Sequence, residues 1–421
     1  MTRVSLRGGP EQLDGTTIQR RLALSEDRLA EEFYRIKRLP PYVIAEVNAM
    51  RHAARREGRD IIDLGMGNPD RPPPQHVIDK LCEVAGKPGA HGYSQSKGIP
   101  GLRRAQANYY GRRFNVDLDP EREVVVTMGS KEGLSSMATA ITAPGDVVLA
   151  PSPSYPIHTF GFIIAGATIR SVPTTPDEKY WQALDNAMAY TVPRATVLVV
   201  NYPSNPTAET VDLAFYERLV AWANENKVWV LSDLAYSELY YDGKPTRSIL
   251  EVPGAKDVAV EFTSMSKTYS MAGWRMGFAV GNPELIGALT RVKSYLDYGA
   301  FTPIQAAACA ALNGPQDIVE ENRARYQHRR DVMVEAFARA GWDIPSPPAS
   351  MFAWAPLPPG FHNVGSLEFS KQLLEHAGVA VAAGVGYGEE GEGFVRIAMV
   401  ENEQRIRQAA RNVKRFLAER G

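Results

Sequence analysis

Residues 258–275 read Val258-Ala259-Val260-Glu261-Phe262-Thr263-Ser264-Met265-Ser266-Lys267-Thr268-Tyr269-Ser270-Met271-Ala272-Gly273-Trp274-Arg275. We interpret the run at 258–262 as a buried strand, which leads into hydroxyl-bearing residues around a single lysine. A second apolar run follows at 276–280. Lys267 therefore stands at the exit of a buried strand, where an amine is poorly hydrated.

Desolvation lowers the pKa of a lysine and leaves more free amine to attack a carbonyl. Arg275 and the hydroxyls of Ser264 and Ser266 add hydrogen-bond donors that suit a phosphate. Together these groups fit a lysine that holds pyridoxal phosphate (PLP) as a Schiff base. The competing interpretation is a surface lysine in a Ser/Thr-rich turn, and the rest of the chain decides between the two.

Short apolar runs alternate with helical patterns between residues 75 and 300, which predicts an α/β fold with a mainly parallel sheet flanked by helices. Continuous Val/Leu runs favour strands that are buried on both faces. Ligands of such sheets bind at the carboxyl ends of the strands. The predicted strands are 124–127, 147–150, 197–200, 228–231, 258–262 and 276–280.

A chain of 421 residues is too long for one core, so we expect two domains. Residues 1–30 are polar and predict a flexible extension. The alternating pattern assigns 69–315 to a large cofactor-binding domain. Residues 31–68 and 316–421 lack that pattern and predict a smaller α+β domain.

The composition excludes several classes of function. A net charge of −1 provides no field for nucleic acid or an anionic membrane, and the longest apolar stretch, 160–169, is too short to span a bilayer. Cys82 and Cys309 supply neither a disulfide framework nor a thiol metal site, and no histidine pair has metal-ligand spacing. We expect a cytoplasmic protein without a metal site.

Polar residues follow the predicted strands. Residues 129–133 after the first strand predict a phosphate cradle, with Ser130 as N-cap, or a simple capped helix. Tyr155 stands in a proline-stiffened loop and either lies against a flat cofactor or packs in the core. Asn205 follows another strand end, where the alternative is an Asn-Pro turn.

Two charged residues stand in apolar strand contexts and need partners. Asp233 leaves a buried strand and requires a cation, which a protonated pyridine nitrogen or an arginine of the fold can supply. Arg396 lies within a strand of the second domain and requires an anion. A substrate carboxylate and a structural salt bridge are both open. Gly67 lies in a turn-rich loop where the backbone can approach a ligand.

The order of these motifs resembles the class I/II, fold-type-I PLP-dependent aminotransferases. The resemblance extends from about Phe33 to the end, and is closest to the bacterial glutamate–pyruvate (alanine) aminotransferases. The motifs that carry the family resemblance are Asn205-Pro206-Thr207, Ser232-Asp233-Leu234-Ala235-Tyr236, Ser264-x-x-Lys267 and Gly273-Trp274-Arg275-x-Gly277. The likeness to the alanine aminotransferases rests on further motifs, among them Arg38-Leu39-Pro40-Pro41-Tyr42, Met66-Gly67-Asn68-Pro69-Asp70, Gly129-Ser130-Lys131-Glu132-Gly133 and Lys293-Ser294-Tyr295.

The resemblance implies a role for each site residue. Lys267 binds PLP and moves the proton, Asp233 keeps the pyridine nitrogen protonated, Asn205 and Tyr236 bind the ring oxygen, and Tyr155 stacks on the ring. The phosphate contacts Ser130, Lys131, Ser264 and Arg275, and the substrate α-carboxylate contacts Arg396, Asn205 and Gly67. Tyr93 reaches the phosphate of a neighbouring subunit, which implies a homodimer with shared sites.

These roles predict an aminotransferase that exchanges an amino group between L-alanine and 2-oxoglutarate by a ping-pong mechanism. Arg38, Tyr42 or the segment 295–298 are candidates to bind the distal carboxylate. LL-diaminopimelate, aspartate, branched-chain and aromatic amino acids remain alternative donors. A PLP-dependent C–S lyase and a regulatory protein with an aminotransferase-like domain are alternatives from other classes.

Overall fold

The computed structural model describes residues 33–41 and 43–420. Residues 33–41 belong to a separate unit and contain one short helix, Tyr34–Lys37. The second unit contains all of the strands and helices described below. The extension predicted at residues 1–30 lies outside the described residues.

Strands are numbered along the chain. They are β1 (Ile62–Asp63), β2 (Val124–Thr127), β3 (Val147–Ser152), β4 (Thr168–Pro173), β5 (Ala195–Asn201), β6 (Trp229–Asp233), β7 (Ala259–Ser264), β8 (Gly277–Gly281), β9 (Phe352–Pro356), β10 (Val379–Ala380), β11 (Ala382–Ala383) and β12 (Phe394–Ala398).

The central sheet has seven strands in the order β2-β8-β7-β6-β5-β3-β4. Only β8 is antiparallel to its neighbours, so the other six strands end at the same edge. The prediction of a mainly parallel α/β sheet is confirmed. Strand β4 was missed, because it is an edge strand whose residues Thr168, Arg170 and Ser171 are exposed and polar.

Both faces of the central sheet are buried. Along β5, Leu198 and Val200 pack into one hydrophobic cluster, whereas Val197 and Val199 pack into another on the opposite face. Alternate residues of a strand point to opposite faces, so a continuous apolar run needs helices on both sides.

Helices surround this sheet and the second core. They are Val43–Arg56, Gln75–Ala85, Pro100–Phe114, Ser130–Ile141, Ile157–Ala165, Glu178–Tyr190, Leu213–Asn226, Met265–Thr268, Pro283–Leu296, Thr302–Asn313, Asp317–Ala338, Ser366–Gln372 and Glu403–Arg420. The crossover helix Leu213–Asn226 illustrates the local rules. Asp212 caps its first turn by accepting a hydrogen bond from the Phe215 N–H at 2.9 Å, and the helix ends at Lys227 in the left-handed conformation.

A separate hydrophobic cluster lies around the three-stranded sheet β11-β12-β9. It includes apolar residues of the helices Asp317–Ala338 and Glu403–Arg420 and of the paired strands β1 and β10. The sequence placed these segments in a smaller α+β domain. The domain boundaries at residues 68 and 315 stay a prediction.

No helix within residues 33–41 or 43–420 is long and apolar enough to cross a membrane. In the same residues, no group of three or more histidine, cysteine, aspartate or glutamate side chains could hold a metal ion.

Candidate active site

A cavity of about 220 Å³ opens where β5, β6 and β7 end, as expected for ligand sites of parallel sheets. Loops that follow β1 and the side chains of β9 and β12 close its other side. The predicted residues among its lining are Gly67, Ser130, Lys131, Tyr155, Asn205, Asp233, Tyr236, Ser264, Lys267, Arg275 and Arg396. Eleven of the twelve predicted site residues therefore line one cavity; Tyr93 does not.

Lys267 lies in the one-turn helix that follows β7. Ser264 is the N-cap of this helix and accepts a hydrogen bond from the Ser266 N–H at 3.1 Å. The Lys267 amine donates to the Gly67 carbonyl at 2.6 Å. Burial, aided by the nearby Arg396 and Arg275, lowers the pKa of Lys267 to about 8. Near neutral pH a useful fraction of this amine is therefore unprotonated and nucleophilic.

Asp233 ends β6 and faces a histidine. Its Oδ2 lies 2.9 Å from His158 Nε2, and its Oδ1 accepts a hydrogen bond from the Ala235 N–H at 3.2 Å. The side chain of Asn201 donates to the Asp233 main-chain carbonyl at 2.7 Å. His158 is fully buried, and its Nδ1 has no partner among the described residues. The arginine partner considered from the sequence is replaced by this histidine.

Sequence reasoning missed His158. The residue lies in the helix Ile157–Ala165 and is 75 positions away from Asp233 along the chain. The only available signal was a titratable ring in a helix that is otherwise apolar. A histidine in that setting has to find a polar partner, but the sequence does not specify which one.

Arg396, Asn205 and Tyr236 form a connected group. Arg396 Nη1 donates to Asn205 Oδ1 at 2.9 Å, and Asn205 Nδ2 lies 3.4 Å from the Tyr236 hydroxyl. Arg396 Nη2 donates to the Gly65 carbonyl at 2.8 Å, while its buried Nε has no partner among the described residues. Within residues 33–41 and 43–420, Arg396 has no acidic partner of the kind that a structural salt bridge requires, and it keeps capacity for an anion.

Phe352 is a second residue that sequence reasoning missed. The Arg396 guanidinium carbon lies 3.8 Å from the centroid of its ring, which is a cation–π contact. A Cβ at Gly67 would lie 2.4 Å from Phe352 Cζ, so only glycine fits there. The glycine thus allows the loop carbonyl that accepts from Lys267 to approach the aromatic floor of the cavity.

The part of the cavity near Gly129 and Arg275 is cationic. Arg275 has φ +55° and donates to the Ala272 carbonyl at 2.9 Å. Gly129 has φ +83°, a conformation that favours glycine, and a Cβ there would also meet Arg275 Nη2 at 2.5 Å. The helix Ser130–Ile141 begins here, and Gly129, rather than the predicted Ser130, is its N-cap. Free N–H groups and arginine are suited to a dianion.

Lys131 and Tyr155 lie side by side in the cavity wall, with Lys131 Nζ 5.5 Å from the tyrosine ring centroid. Burial raises the pKa of Tyr155, so its hydroxyl stays neutral. The Tyr155 ring also meets His158 edge-on, with 6.1 Å between ring centroids. This contact aligns the ring beside the Asp233–His158 pair.

Tyr93 is 89% exposed, and its ring lies 4.7 Å from that of Tyr298. Contact with a neighbouring subunit stays a prediction for this residue. Of the candidates for a distal carboxylate, Tyr295 and Tyr298 are also exposed, Arg38 belongs to the separate unit, and Tyr42 lies outside the described residues.

The cavity fits PLP on three grounds. Its lining includes cationic donors, a buried carboxylate and a primary amine with a lowered pKa. The unpartnered Nε of Arg396 leaves room for one further anion beside the amine. This donor set matches an anionic aromatic aldehyde plus a carboxylate-bearing substrate.

This set of groups, on this sheet, is that of an aminotransferase of fold type I. The chain belongs to the aminotransferase class I and II family, whose match covers residues 59–413. Enzymes of this family use pyridoxal 5'-phosphate, and the protein is accordingly a PLP-dependent transaminase. The family, the cofactor and the fold class predicted from the sequence are thereby confirmed.

Among its relatives, the chain is 50% identical to the glutamate–pyruvate aminotransferase AlaC of Escherichia coli (strain K12) over 391 residues, which are 93% of this chain and 95% of AlaC. It is 43% identical to the LL-diaminopimelate aminotransferase of Moorella thermoacetica, over 92% of this chain and 98% of that one. The substrate-bound structure of BacF from Bacillus subtilis matches with a TM-score of 0.84 and 34% identity, covering 90% of this chain and 96% of BacF.

Proposed function

We propose that the enzyme exchanges an amino group between L-alanine and 2-oxoglutarate, giving pyruvate and L-glutamate. The 50% identity to a glutamate–pyruvate aminotransferase across nearly the whole chain carries the proposal. Both half-reactions use the same active site, so the kinetics are ping-pong.

When bound, PLP supplies an electrophilic aldehyde and a conjugated ring that withdraws electrons from the substrate Cα–H bond. Lys267 supplies the attacking amine at Nζ and later carries the Cα proton on the same atom. A pKa of about 8 suits both roles, since the amine must lose and regain a proton near neutral pH.

Asp233 holds a proton on the ring nitrogen of the cofactor, and His158 orients the carboxylate through their 2.9 Å contact. Burial raises the pKa of Tyr236, so its hydroxyl stays protonated and can donate a hydrogen bond to the ring oxygen. Asn205 supports the same oxygen from the adjacent strand end, and Tyr155 stacks on the ring.

Ser130, Lys131, Ser264 and Arg275 bind the cofactor phosphate at the cationic end of the cavity. Arg396 binds the substrate α-carboxylate as a fork, with the Asn205 side chain and the backbone of Gly67 beside it. This orientation brings the substrate Cα to the Lys267 amine, which already contacts the Gly67 carbonyl.

The active enzyme is a cytoplasmic homodimer in this proposal. Tyr93 is exposed next to Tyr298, and further large apolar side chains of the same region, Leu296 and Phe301, are also exposed. A second copy of the chain would cover this surface and receive Tyr93 at its phosphate site. Sedimentation of the purified enzyme tests the dimer, and a monomer with full activity contradicts it.

LL-diaminopimelate is the second candidate donor, because two relatives that are 43% identical to this chain are named LL-diaminopimelate aminotransferases. Initial rates with a panel of amino donors and 2-oxoglutarate separate the two candidates. L-alanine is expected to give the highest kcat/KM of the panel. In a separate measurement without 2-oxoglutarate, L-alanine should bleach the visible absorption band of the bound cofactor. Negligible activity with alanine would refute the proposed substrate.

A further inference from the structure

The most deeply buried cation of the described residues outside the cavity is Lys293. It lies near the end of the helix Pro283–Leu296 and has no exposed surface. Its amine contacts two carboxylates, Asp297 Oδ2 at 2.9 Å and Glu132 Oε2 at 3.2 Å. Burying a lysine with two carboxylates is costly, and the mechanism proposed above makes no use of Lys293.

Glu132 connects this lysine to the cofactor cavity. It lies in the first turn of the helix Ser130–Ile141, and its Oε2 accepts a hydrogen bond from the Met128 N–H at 2.8 Å. Its Oε1 accepts from the Ser136 hydroxyl at 2.7 Å. The carboxylate therefore folds back over the start of its own helix and fixes the residue that precedes the Gly129 turn.

The two peptide groups that flank Met128 are each held by a side chain. Glu132 accepts from the Met128 N–H, in the 127–128 peptide, and Arg275 Nη2 approaches the Met128 carbonyl, in the 128–129 peptide, at 3.5 Å. Gly129 follows with φ +83°, and the helix that carries Ser130 and Lys131 begins immediately after it. Rotating these peptide groups would turn the N–H groups at the helix start away from the cavity.

Lys293 also fixes a second segment. Asp297 accepts from the Gly299 N–H at 2.6 Å, and its carbonyl accepts from the Ser96 hydroxyl. The segment between these contacts carries Tyr298, which lies against Tyr93. One buried amine thus joins the phosphate end of the cavity to the exposed aromatic pair.

We infer that Lys293 is a positioning residue for the cofactor phosphate, acting through Glu132 on the Met128–Lys131 turn. The inference rests on the proposed function, in which Ser130 and Lys131 bind that phosphate. Lys293 does not touch the cofactor. Without its charge, Glu132 and Asp297 repel each other across a buried gap, and the Glu132–Met128 hydrogen bond is lost.

The test compares PLP with pyridoxal, which lacks the phosphate. Full-length protein freed of cofactor is titrated with each compound, and absorbance gives the two dissociation constants. Lys293→Met should weaken PLP binding roughly tenfold to a hundredfold, the size of one lost hydrogen bond to a charged group. Pyridoxal binding should not change, because the amine of Lys267 and the ring contacts are intact.

Glu132→Leu is the second variant, since Glu132 is partly exposed and leucine is a good helix former. It removes the acceptor for the Met128 N–H and should cause the same PLP-specific loss, even if Lys293→Met does not fold. Arg330→Met is the matched control, because Arg330 is a buried cation paired with Asp242 away from the cavity. This variant should lower thermal stability and leave the ratio of the two dissociation constants unchanged.

Equal weakening of PLP and pyridoxal, or an unchanged ratio in both variants, would overturn the inference and leave Lys293 as a structural ion pair. Failure of the proposed function has different signatures. If Ser130 and Lys131 do not bind the phosphate, the wild-type protein itself would bind PLP no more tightly than pyridoxal, and if alanine is not the substrate, the wild type would keep its PLP preference but lack activity with alanine.

Discussion

Two neighbouring strands each bury a carboxylate, and the two carboxylates have different chemical surroundings. Asp233 ends β6 and is 4% exposed, whereas Glu261 lies in the middle of β7 and is 0% exposed. The strands pair in parallel, with Ser232 opposite Glu261 and Asp233 opposite Phe262. Asp233 therefore lies only one residue further along the paired strands than Glu261, yet its carboxylate reaches the cavity, whereas that of Glu261 lies inside the core.

Glu261 contacts only neutral donors among the described residues. The hydroxyls of Ser248, Tyr110 and Ser232 donate to it at 2.5, 2.8 and 3.0 Å, and the Ile249 N–H approaches at 3.3 Å. Burial raises the pKa of Glu261 to about 7, although these hydrogen bonds oppose the shift. Asp233 faces His158 and the cavity instead.

The position of an acidic residue along a buried strand therefore decides whether its carboxylate can pair with a ligand or is enclosed in the core. A carboxylate at the strand end meets the cavity, where a cationic ligand can pair with it. A carboxylate in mid-strand is enclosed by the sheet and its helices, and has to be neutralised by its own proton or by hydroxyl donors. The first can serve catalysis, and the second serves the fold.

Lys267→Ala tests whether the lysine past the end of β7 belongs with Asp233 as a reacting group. Loss of the amine removes both the nucleophile and the proton carrier, so kcat should fall by at least roughly 10²–10⁴-fold. Steady-state and single-turnover rates with L-alanine measure the loss, and thermal unfolding checks the fold. Activity within tenfold of the wild type would assign the chemistry to another group.

Asp233→Asn and Glu261→Gln form a matched pair that compares the two carboxylates directly. The first variant removes the charge that holds a proton on the cofactor ring, so kcat should fall roughly 10²–10³-fold. The second changes a residue remote from the cavity and should leave kcat unchanged. Equal losses in the two variants would remove the distinction between strand end and strand interior.

Arg396→Lys tests whether Arg396 binds the substrate carboxylate. A lysine keeps the charge but not the fork, so one of two hydrogen bonds to the α-carboxylate is lost. KM for L-alanine should rise roughly tenfold to a hundredfold, and PLP affinity should stay constant. A PLP dissociation constant that rises together with KM would mean that Arg396 serves the cofactor rather than the substrate.

The sequence predicted most of the cavity because its residues follow strands, and parallel strands end at one edge. Lys267, Asp233 and Asn205 could be read in this way. The resemblance to a known family added Tyr236 and strengthened the interpretation of Arg396. All five line the cavity, although their functional roles are still proposals.

The remaining features depend on contacts between distant parts of the chain. His158 meets Asp233 across 75 positions, and Phe352 lies beneath Gly67 from another core. The role of Glu261 was not predicted, although the residue lies in the run interpreted as a buried strand. No local sequence pattern indicates that a buried carboxylate has hydroxyl partners. Lys293 likewise has no local pattern that marks it, because its burial depends on how two helices pack.

Glu261→Gln has its measurable effect on stability instead of activity. The folded-state pKa of about 7 exceeds the unfolded value of 4.5, so the folded chain binds more protons between these two pH values. Stability of the wild type should therefore fall as pH rises through this window, by up to about 3 kcal/mol. Glutamine resembles the protonated form at every pH and removes this dependence.

Denaturant unfolding of both proteins between pH 5 and pH 8 measures the effect. The unfolding free energy of Glu261→Gln relative to the wild type should increase from pH 5 to about pH 7 and level off above that value. Asp233→Asn is the control, because Asp233 faces His158 at the cavity and should not reproduce the same curve. A difference that is constant with pH would mean that Glu261 is ionised throughout, and that the sheet interior tolerates a charge as readily as the strand end.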